Sequence, residues 1–170
     1  MIDWQRIVTE HGPAVWQTAY RLLRNEADAN DCMQEAFLAA VEVSRREPVR
    51  NWRALLGRIA TARAIDRLRQ RLRETARRDD PADVAAVPAG GPGPETCAGN
   101  AELAARLLLS VSQLPSRQAE AFCLRFLSDM TYDEIADELG IETNHVGVLL
   151  HRARSKLRAL LDGVVEVKET

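Results

Sequence analysis

The sequence predicts an all-α protein, built from two small helical domains that a flexible linker joins. Apolar residues recur at spacings of three and four throughout the chain, which is the period of amphipathic helices. No segment alternates apolar and polar residues as a half-buried strand does. The segment Asp79–Asn100 contains four of the seven prolines, four of the nine glycines and no basic residue. We therefore expect a first domain over 3–78, a linker over 79–100 and a second domain over 101–162.

Three helices are predicted in the first domain. The first covers about 3–24, with a candidate kink at Gly12-Pro13. The second begins after Asn25, where acidic residues favour the positive helix N-terminus, and the third covers about 50–78. The apolar positions expected to face the core are Trp4, Ile7, Val8, His11, Val15, Ala19, Leu22, Leu23, Cys32, Met33, Ala36, Phe37, Ala40, Val41, Trp52, Leu55, Leu56, Ile59, Ala60, Ala64, Ile65 and Leu68.

The second domain ends in a pattern typical of a helix-turn-helix. Helices are predicted over 101–112 and 114–127. A capping box, Thr131-x-x-Glu134, then starts a short helix, which Gly140 ends because glycine accepts positive φ. The last helix has an apolar stripe at helical spacing, formed by Val146, Leu149, Leu150, Ala153 and Leu157.

The other side of this last helix suits DNA recognition. It contains Asn144, His145, Val148, His151, Arg152 and Ser155. In the major groove an amide can bond adenine, and arginine can bond guanine or phosphate. A helical hairpin that only packs would show the same apolar pattern, so the motif alone leaves both interpretations open. The two histidines are six positions apart rather than four, so we do not expect them to bind a metal.

Charge is segregated along the chain, although the net charge is only −2. Residues 45–78 contain twelve arginines against three acids, whereas residues 1–44 contain three arginines against seven acids. A solvated helix face usually mixes signs, so the arginine-rich segment favours phosphate binding over simple solvation. The acidic segment would suit a basic protein partner.

Other classes of protein are disfavoured. No apolar run is long enough to span a bilayer and no signal peptide is evident, so we expect a cytoplasmic protein with no membrane insertion. Cys32, Cys97 and Cys123 are scattered without metal-ligand spacing and are interpreted as buried or incidental thiols. No nucleophile–base pair, P-loop or paired-carboxylate site appears, so neither an enzyme nor a cofactor is predicted. A stand-alone helix-turn-helix regulator remains an alternative.

Several short motifs occur in order along nearly the whole chain. Before the linker lie DANDCMQEAF (28–37), VRNW (49–52), RIA (58–60) and AIDRLR (64–69), and after it lie LPSR (114–117), YDEIA (132–136), LGI (139–141) and LHRAR (150–154). Together they resemble the extracytoplasmic-function (ECF) sigma factors, the small two-domain group of the sigma-70 superfamily that directs bacterial RNA polymerase to promoters. The resemblance implies sigma region 2 before the linker and sigma region 4 after it.

The resemblance also implies roles for the first domain. The second helix would dock on the clamp helices of the largest polymerase subunit through Asp31, Gln34, Glu35, Phe37 and Leu38. Without the resemblance, that face is typical of a solvated amphipathic helix. The third helix and the segment before it would hold the minus-10 element through Asn51, Trp52, Arg58, Arg63, Arg67 and Arg69. Trp52 is equally a candidate for the core.

For the second domain, the resemblance implies recognition of the minus-35 element and a contact with the polymerase flap region. Bases would be read by Asn144, His145, Val148, His151 and Arg152, and phosphates bound by Arg117, Arg125, Arg154 and Lys156. Many family members have a Lys-Ser-Arg run where this chain has Gly147-Val148-Leu149, so two usual cationic contacts are missing. Proteins of this family usually have an anti-sigma partner, which we expect here as well.

Overall fold

A computed structural model of the chain describes residues 1–78 and 97–165, which form seven helices and no strand. The helices are α1 (Trp4–Leu23), α2 (Glu26–Arg46), α3 (Trp52–Arg77), α4 (Cys97–Ser112), α5 (Ser116–Phe126), α6 (Tyr132–Leu139) and α7 (Thr143–Val165). The all-α prediction is confirmed. Helix α4 begins four residues earlier than the sequence indicated, and the rest of the predicted linker lies outside the described residues. In the described ranges no helix is long and apolar enough to cross a membrane.

Short polar side chains mark the starts of the first three helices. Asp3, Asn25 and Asn51 each accept a hydrogen bond from the backbone N–H three residues further on, at 2.9–3.0 Å. These caps satisfy donors that a helix start leaves unpaired. The candidate kink at Gly12-Pro13 does not interrupt α1, which continues as one helix through Pro13.

The core of the first domain is a bundle of α1, α2 and α3. Ala36 and Ala60 are fully buried beside Leu56, and these small side chains let the helices approach closely. Trp52 is partly buried and packs against this core, with its ring edge-to-face on Trp4 at 5.1 Å between centroids. The prediction that Trp52 belongs to the core is thus supported by its contacts.

One predicted core residue of α1 was wrong. Val8 is 45% exposed, although its spacing of four and seven residues from the buried Gly12 and Val15 places it on the same face of α1. Periodicity places a residue on a helix face, but the position of the neighbouring helix decides where burial ends.

The second domain contains the predicted helix-turn-helix. The Thr131 side chain accepts from the Glu134 N–H, and the Glu134 carboxylate accepts from the Thr131 N–H, so the capping box is complete. Gly140 ends α6 with φ 63°, as the sequence predicted. All five residues of the predicted α7 stripe are buried, namely Val146, Leu149, Leu150, Ala153 and Leu157.

The two domains pack against each other through α3. Ile65 and Leu68 of α3 belong to the same buried cluster as Leu114 of the second domain. Nearer the start of α3, Ala54 is buried in a cluster with Met130. Helix α3 is therefore buried on two sides, and the sequence did not indicate this second contact.

We expect replacement of Thr131 by alanine to lower the free energy of unfolding by about 1 kcal/mol, because it removes the N-cap acceptor of α6. Urea denaturation of Thr131→Ala and of Thr131→Ser, which keeps the hydroxyl, would measure the difference. Equal stability of the two variants would show that the capping box contributes nothing measurable.

Candidate nucleic-acid interface

The outward face of α7 presents polar, cationic and aliphatic side chains together. Asn144, His145, His151 and Arg152 are exposed, and Val148 is 43% exposed. Their spacing places them on one side of the helix, opposite the buried stripe. The structure thus brings all five predicted base-reading residues onto one exposed face of α7.

The turn between α6 and α7 is held by side-chain hydrogen bonds as well as by Gly140. Thr143 Oγ1 donates to Asp133 Oδ1 at 3.0 Å, which ties the start of α7 to the start of α6. Arg117 Nη1 donates to the backbone carbonyl of Leu139 at 2.8 Å, at the end of α6. These contacts fix the angle at which α7 projects.

Two of the arginines predicted to bind phosphate lie over aromatic rings. The guanidinium carbon of Arg125 is 5.8 Å from the ring centroid of Tyr132, and that of Arg154 is 5.1 Å from the ring of Phe126. Stacking of this kind stabilises a cation and restricts its side chain. Lys156, which was predicted to bind phosphate together with Arg117 and these two arginines, is exposed.

Acidic side chains of α2 lie against the arginine residues of α3, which we call the arginine stripe. Glu35 accepts from Arg67 Nη2 at 2.5 Å and from Arg63 Nη1 at 3.4 Å. Asp28 accepts a hydrogen bond from Arg71 and lies 3.7 Å from Arg67. Few acids accompany these arginines along the sequence, because the acids that pair with them lie on another helix. Pairing between helices supplies the missing counter-charges.

The bonds to Glu35 stabilise the charged form of Arg67. Burial acts to lower the pKa of Arg67, but the hydrogen bond and charge of Glu35 outweigh it and raise the pKa above its ordinary value. The hydrogen bond to Glu35 holds this guanidinium in one orientation, while Arg63 beside it is exposed.

Three of the other minus-10 candidates, Asn51, Arg58 and Arg69, face the second domain, whereas Trp52 packs on Trp4. Arg58 Nε donates to Glu138 Oε2 at 3.0 Å, and Arg69 Nη2 donates to the backbone carbonyl of Leu114 at 2.8 Å. Asn51, besides capping α3, donates to a glutamate of α6 at 3.3 Å. The six candidates thus do not form one open surface in this arrangement.

The polymerase-docking candidates on α2 divide into two groups. Asp31, Gln34 and Leu38 are exposed, and Leu38 is 68% exposed, which is unusual for a large apolar side chain. Phe37 is partly buried against the first-domain core, and Glu35 is turned towards α3. Three of the five predicted residues therefore face outward.

Sequence reasoning missed two arginines that connect the domains. Arg21 Nη1 donates to the backbone carbonyl of Leu127 at 2.7 Å, and Arg53 Nη2 donates to that of Ser128 at 2.9 Å. The acceptors of these two bonds are backbone atoms, which no residue type in the sequence marks, and Arg53 also lies 3.5 Å from Glu134 Oε1.

Two cysteine thiols are buried in the part of the chain that the structure describes. Cys32 Sγ donates to the backbone carbonyl of Ala60 at 3.5 Å, and Cys123 is only 1% exposed. Over 1–78 and 97–165, no three histidine, cysteine or carboxylate side chains are grouped as a metal site would require.

Two family models match the chain. The model described as Sigma-70 region 2 matches residues 7–74, which extend from α1 to near the end of α3. The model described as Sigma-70, region 4 matches residues 104–157, which include α5, α6 and the buried stripe of α7. The two matches lie on either side of the proline-rich and glycine-rich segment.

The chain is also similar to individual proteins. ECF RNA polymerase sigma factor SigE of Mycolicibacterium smegmatis is 32% identical over 163 residues, or 95% of this chain and 62% of that protein. RNA polymerase sigma factor CnrH of Cupriavidus metallidurans is 33% identical over 164 residues, or 92% of this chain and 85% of that one. The solved structure of CnrH in complex with the cytosolic domain of CnrY has a TM-score of 0.58 and 26% identity, covering 94% of this chain and 87% of that chain. The chain thus spans less than two thirds of SigE.

We expect Cys32 and Cys123 to resist alkylation in the folded protein. Burial raises the pKa of Cys32 to about 11 and that of Cys123 to about 12, so both thiols stay protonated at about pH 8. Iodoacetamide labelling followed by peptide mass spectrometry would measure this, with urea-unfolded protein as the reactive control. Rapid labelling of either residue in the native protein would contradict the burial.

Proposed function

The chain belongs to the ECF group of the sigma-70 family, and on this premise we propose that it binds bacterial core RNA polymerase and directs promoter-specific initiation of transcription. The first domain reads the minus-10 element and the helix-turn-helix reads the minus-35 element. The protein acts in the cytoplasm as an initiation factor, not as an enzyme.

The observation that carries this proposal is the presence of both sigma regions, in order, in one chain. An independent helix-turn-helix regulator needs only the second of them. The exposed face of α7 supports duplex recognition, and the arginine stripe of α3 supports a second contact with nucleic acid.

Docking on polymerase uses the outward face of α2. Asp31 and Gln34 contact cationic and polar groups of the clamp helices, and Leu38 contributes apolar contact. Phe37 supports this face from below through its packing on the core. Glu35 is bonded to Arg63 and Arg67, and these bonds limit its contribution to docking.

The minus-10 element is held by the arginine side of α3. Arg63 and Arg67 bind phosphates in exchange for their bonds to Glu35, because a phosphate and a carboxylate accept from the same guanidinium donors. Asn51, Arg58 and Arg69 contact bases or backbone, and Trp52 shapes the surface from its place against Trp4. Single strands are captured by phosphate contacts combined with stacking and pockets.

The minus-35 element is read by the five exposed residues of α7, and Arg117, Arg125, Arg154 and Lys156 bind the flanking phosphates. The Gly147-Val148-Leu149 run makes this contact less cationic than in many family members, since Leu149 is buried and Val148 is aliphatic. Val148 suits a thymine methyl group. The flap region of polymerase supports this domain at the upstream element.

We also infer an anti-sigma partner. CnrH, whose structure this chain resembles over most of its length, was solved in complex with the cytosolic domain of CnrY. An exposed apolar side chain such as Leu38 suits a protein partner of this kind as well as polymerase.

The central test is reconstitution with core polymerase. The purified protein should co-purify with core enzyme, and sequencing RNA 5′ ends after its induction should reveal a common pair of promoter elements.

Leu38→Asp should weaken core binding about tenfold or more, because it places a charge in an apolar contact. Val8→Asp, which alters an exposed apolar residue of α1, is the matched control. Tight duplex binding without polymerase, and no association with core enzyme, would favour the independent regulator instead.

A second test concerns the atypical recognition helix. A Cβ at Gly147 would meet only Tyr132 at 3.8 Å, an ordinary contact, so Gly147→Lys is sterically accepted. The added cation should strengthen binding to the minus-35 duplex and steepen its salt dependence by about one unit of slope. Gly163→Lys makes the same change on α7 at an exposed site away from the recognition residues. Equal salt slopes in the two variants would place position 147 outside the DNA interface.

A further inference from the structure

A cavity of about 150 Å³ lies where α1, the start of α3 and the loop between α5 and α6 meet. Of the residues that line it, Thr18 and Gly57 are buried. Asp129 is exposed, so the cavity opens to solvent on that side. A water molecule takes up about 30 Å³ in the liquid, so the cavity has room for roughly five waters or for one small anion in their place. The proposed function assigns no role to this cavity.

Arg21 lines the cavity as a half-buried cation without a carboxylate partner. Its Nη1 donates to the backbone carbonyl of Leu127 at 2.7 Å. In the described ranges, no carboxylate oxygen lies within 4.0 Å of its guanidinium group, and neither Nε nor Nη2 makes a hydrogen bond. Arg67 and Arg71, by contrast, pair with carboxylates of α2. A carbonyl oxygen carries only a partial charge, so most of the charge of Arg21 is left uncompensated, which is unfavourable for a cation withdrawn from water.

A second cation, Arg53, reaches the cavity from α3. Its Nη2 donates to the carbonyl of Ser128 at 2.9 Å, and its Nη1 lies 3.5 Å from Glu134 Oε1, a long contact between partly exposed side chains. Asp129 is the one acid among the described residues of the lining, and its carboxylate pairs with neither arginine. Two guanidinium groups therefore face this space against a single carboxylate.

Uncharged donors line the same space. Thr18 Oγ1 and Ser128 Oγ are 3.3 Å apart and share one hydrogen bond, which leaves one of the two hydroxyl hydrogens without an acceptor among the described residues. The half-buried imidazole of His11 makes no hydrogen bond to a described residue, and both its neutral and its cationic form have an N–H to donate. Donors from two helices and a loop thus converge with the two cations.

We propose that this cavity binds a small phosphate oxyanion, either inorganic phosphate or the phosphate group of a small phosphorylated molecule. Arg21 and Arg53 supply the positive charge, and the hydroxyl pair and His11 supply further hydrogen bonds. A phosphate group offers at least three oxygen acceptors, whereas a carboxylate offers two, so phosphate suits donors that come from three elements. The site uses none of the residues that the proposed function assigns to polymerase or DNA, and it does not depend on that function.

Urea denaturation of the full chain tests the site. Potassium phosphate at about 10 mM, compared with potassium chloride of equal ionic strength, should raise the ratio of folded to unfolded protein about tenfold, as a Kd of about 1 mM requires. AMP is the second probe. Greater stabilisation by AMP than by phosphate identifies a phosphorylated molecule as the ligand, and an equal or smaller effect identifies inorganic phosphate. No stabilisation by either probe overturns the site.

Two arginine variants locate the anion. Arg21→Met keeps an apolar stem but removes the uncompensated charge, so it should abolish the effect of phosphate. Arg6→Met is the matched control, because Arg6 is exposed on the same helix, lies 3.7 Å from Glu10 and is not part of the cavity. Phosphate should stabilise this control as it does the unaltered protein. Equal effects of phosphate on the two variants contradict the proposed site.

A gain of affinity provides an independent check, and it decides the matter if Arg21→Met does not fold. Asp129→Asn removes the opposing carboxylate, and asparagine accepts the left-handed backbone of this position, where φ is 50°. We expect phosphate to bind this variant about threefold more tightly or better, because a repulsion within the cavity is lost. Asp137→Asn makes the same change at an exposed residue outside the lining and should leave the affinity unaltered. Equal affinities of the two variants would place the anion elsewhere.

Discussion

Arginine side chains of the first domain donate to backbone carbonyls at helix ends of the second domain, and these contacts fix how the two domains meet. Arg21, Arg53 and Arg69 each reach such carbonyls at 2.7–3.1 Å. The acceptors are left unpaired when a helix ends, so the cations satisfy them without needing an acidic partner. Burial of Ile65 and Leu68 in one apolar cluster with Leu114 adds to the contact between the domains. Because α3 is packed against both domains, these contacts determine which of its side chains are exposed.

The same helix links the two charged regions of the first domain. Glu35 of α2 bonds both Arg63 and Arg67, so a candidate polymerase contact and two candidate DNA contacts share one ion-pair network. A group that draws Glu35 away would free Arg63 but would leave Arg67 beside Asp28, and a phosphate that binds both arginines would free Glu35. Net charge, at −2, gives no hint of this arrangement, because opposite charges lie on neighbouring helices.

The helix starts could be predicted because their determinants lie within a few residues. Asn25, Asn51 and Thr131 each cap a helix through a bond to a residue three positions away. The stripe of α7 was likewise predicted from spacing, since a helix with one apolar face has one way to bury it. The prediction that Val8 is buried was wrong, because helical spacing assigns a residue to a face but does not show whether a neighbouring helix covers that part of the face. Arg117, Arg125 and Arg154 were identified as cations, but their carbonyl and aromatic contacts are not visible in the sequence.

The sequence by itself determined the helices, their caps, the helix-turn-helix and the family, because each depends on short-range hydrogen bonding, helical period or the order of local motifs. Only the tertiary structure decided which arginines are available to a ligand. Arg58 and Glu138 are 80 positions apart, and their pairing depends on how two finished helices dock. Docking is governed by shape, by burial and by backbone acceptors that every residue carries, so residue type alone does not encode it. The sequence therefore shows that α3 is rich in arginine. Which of these arginines pair with acids of the first domain, and which contact the second domain, is a property of the fold.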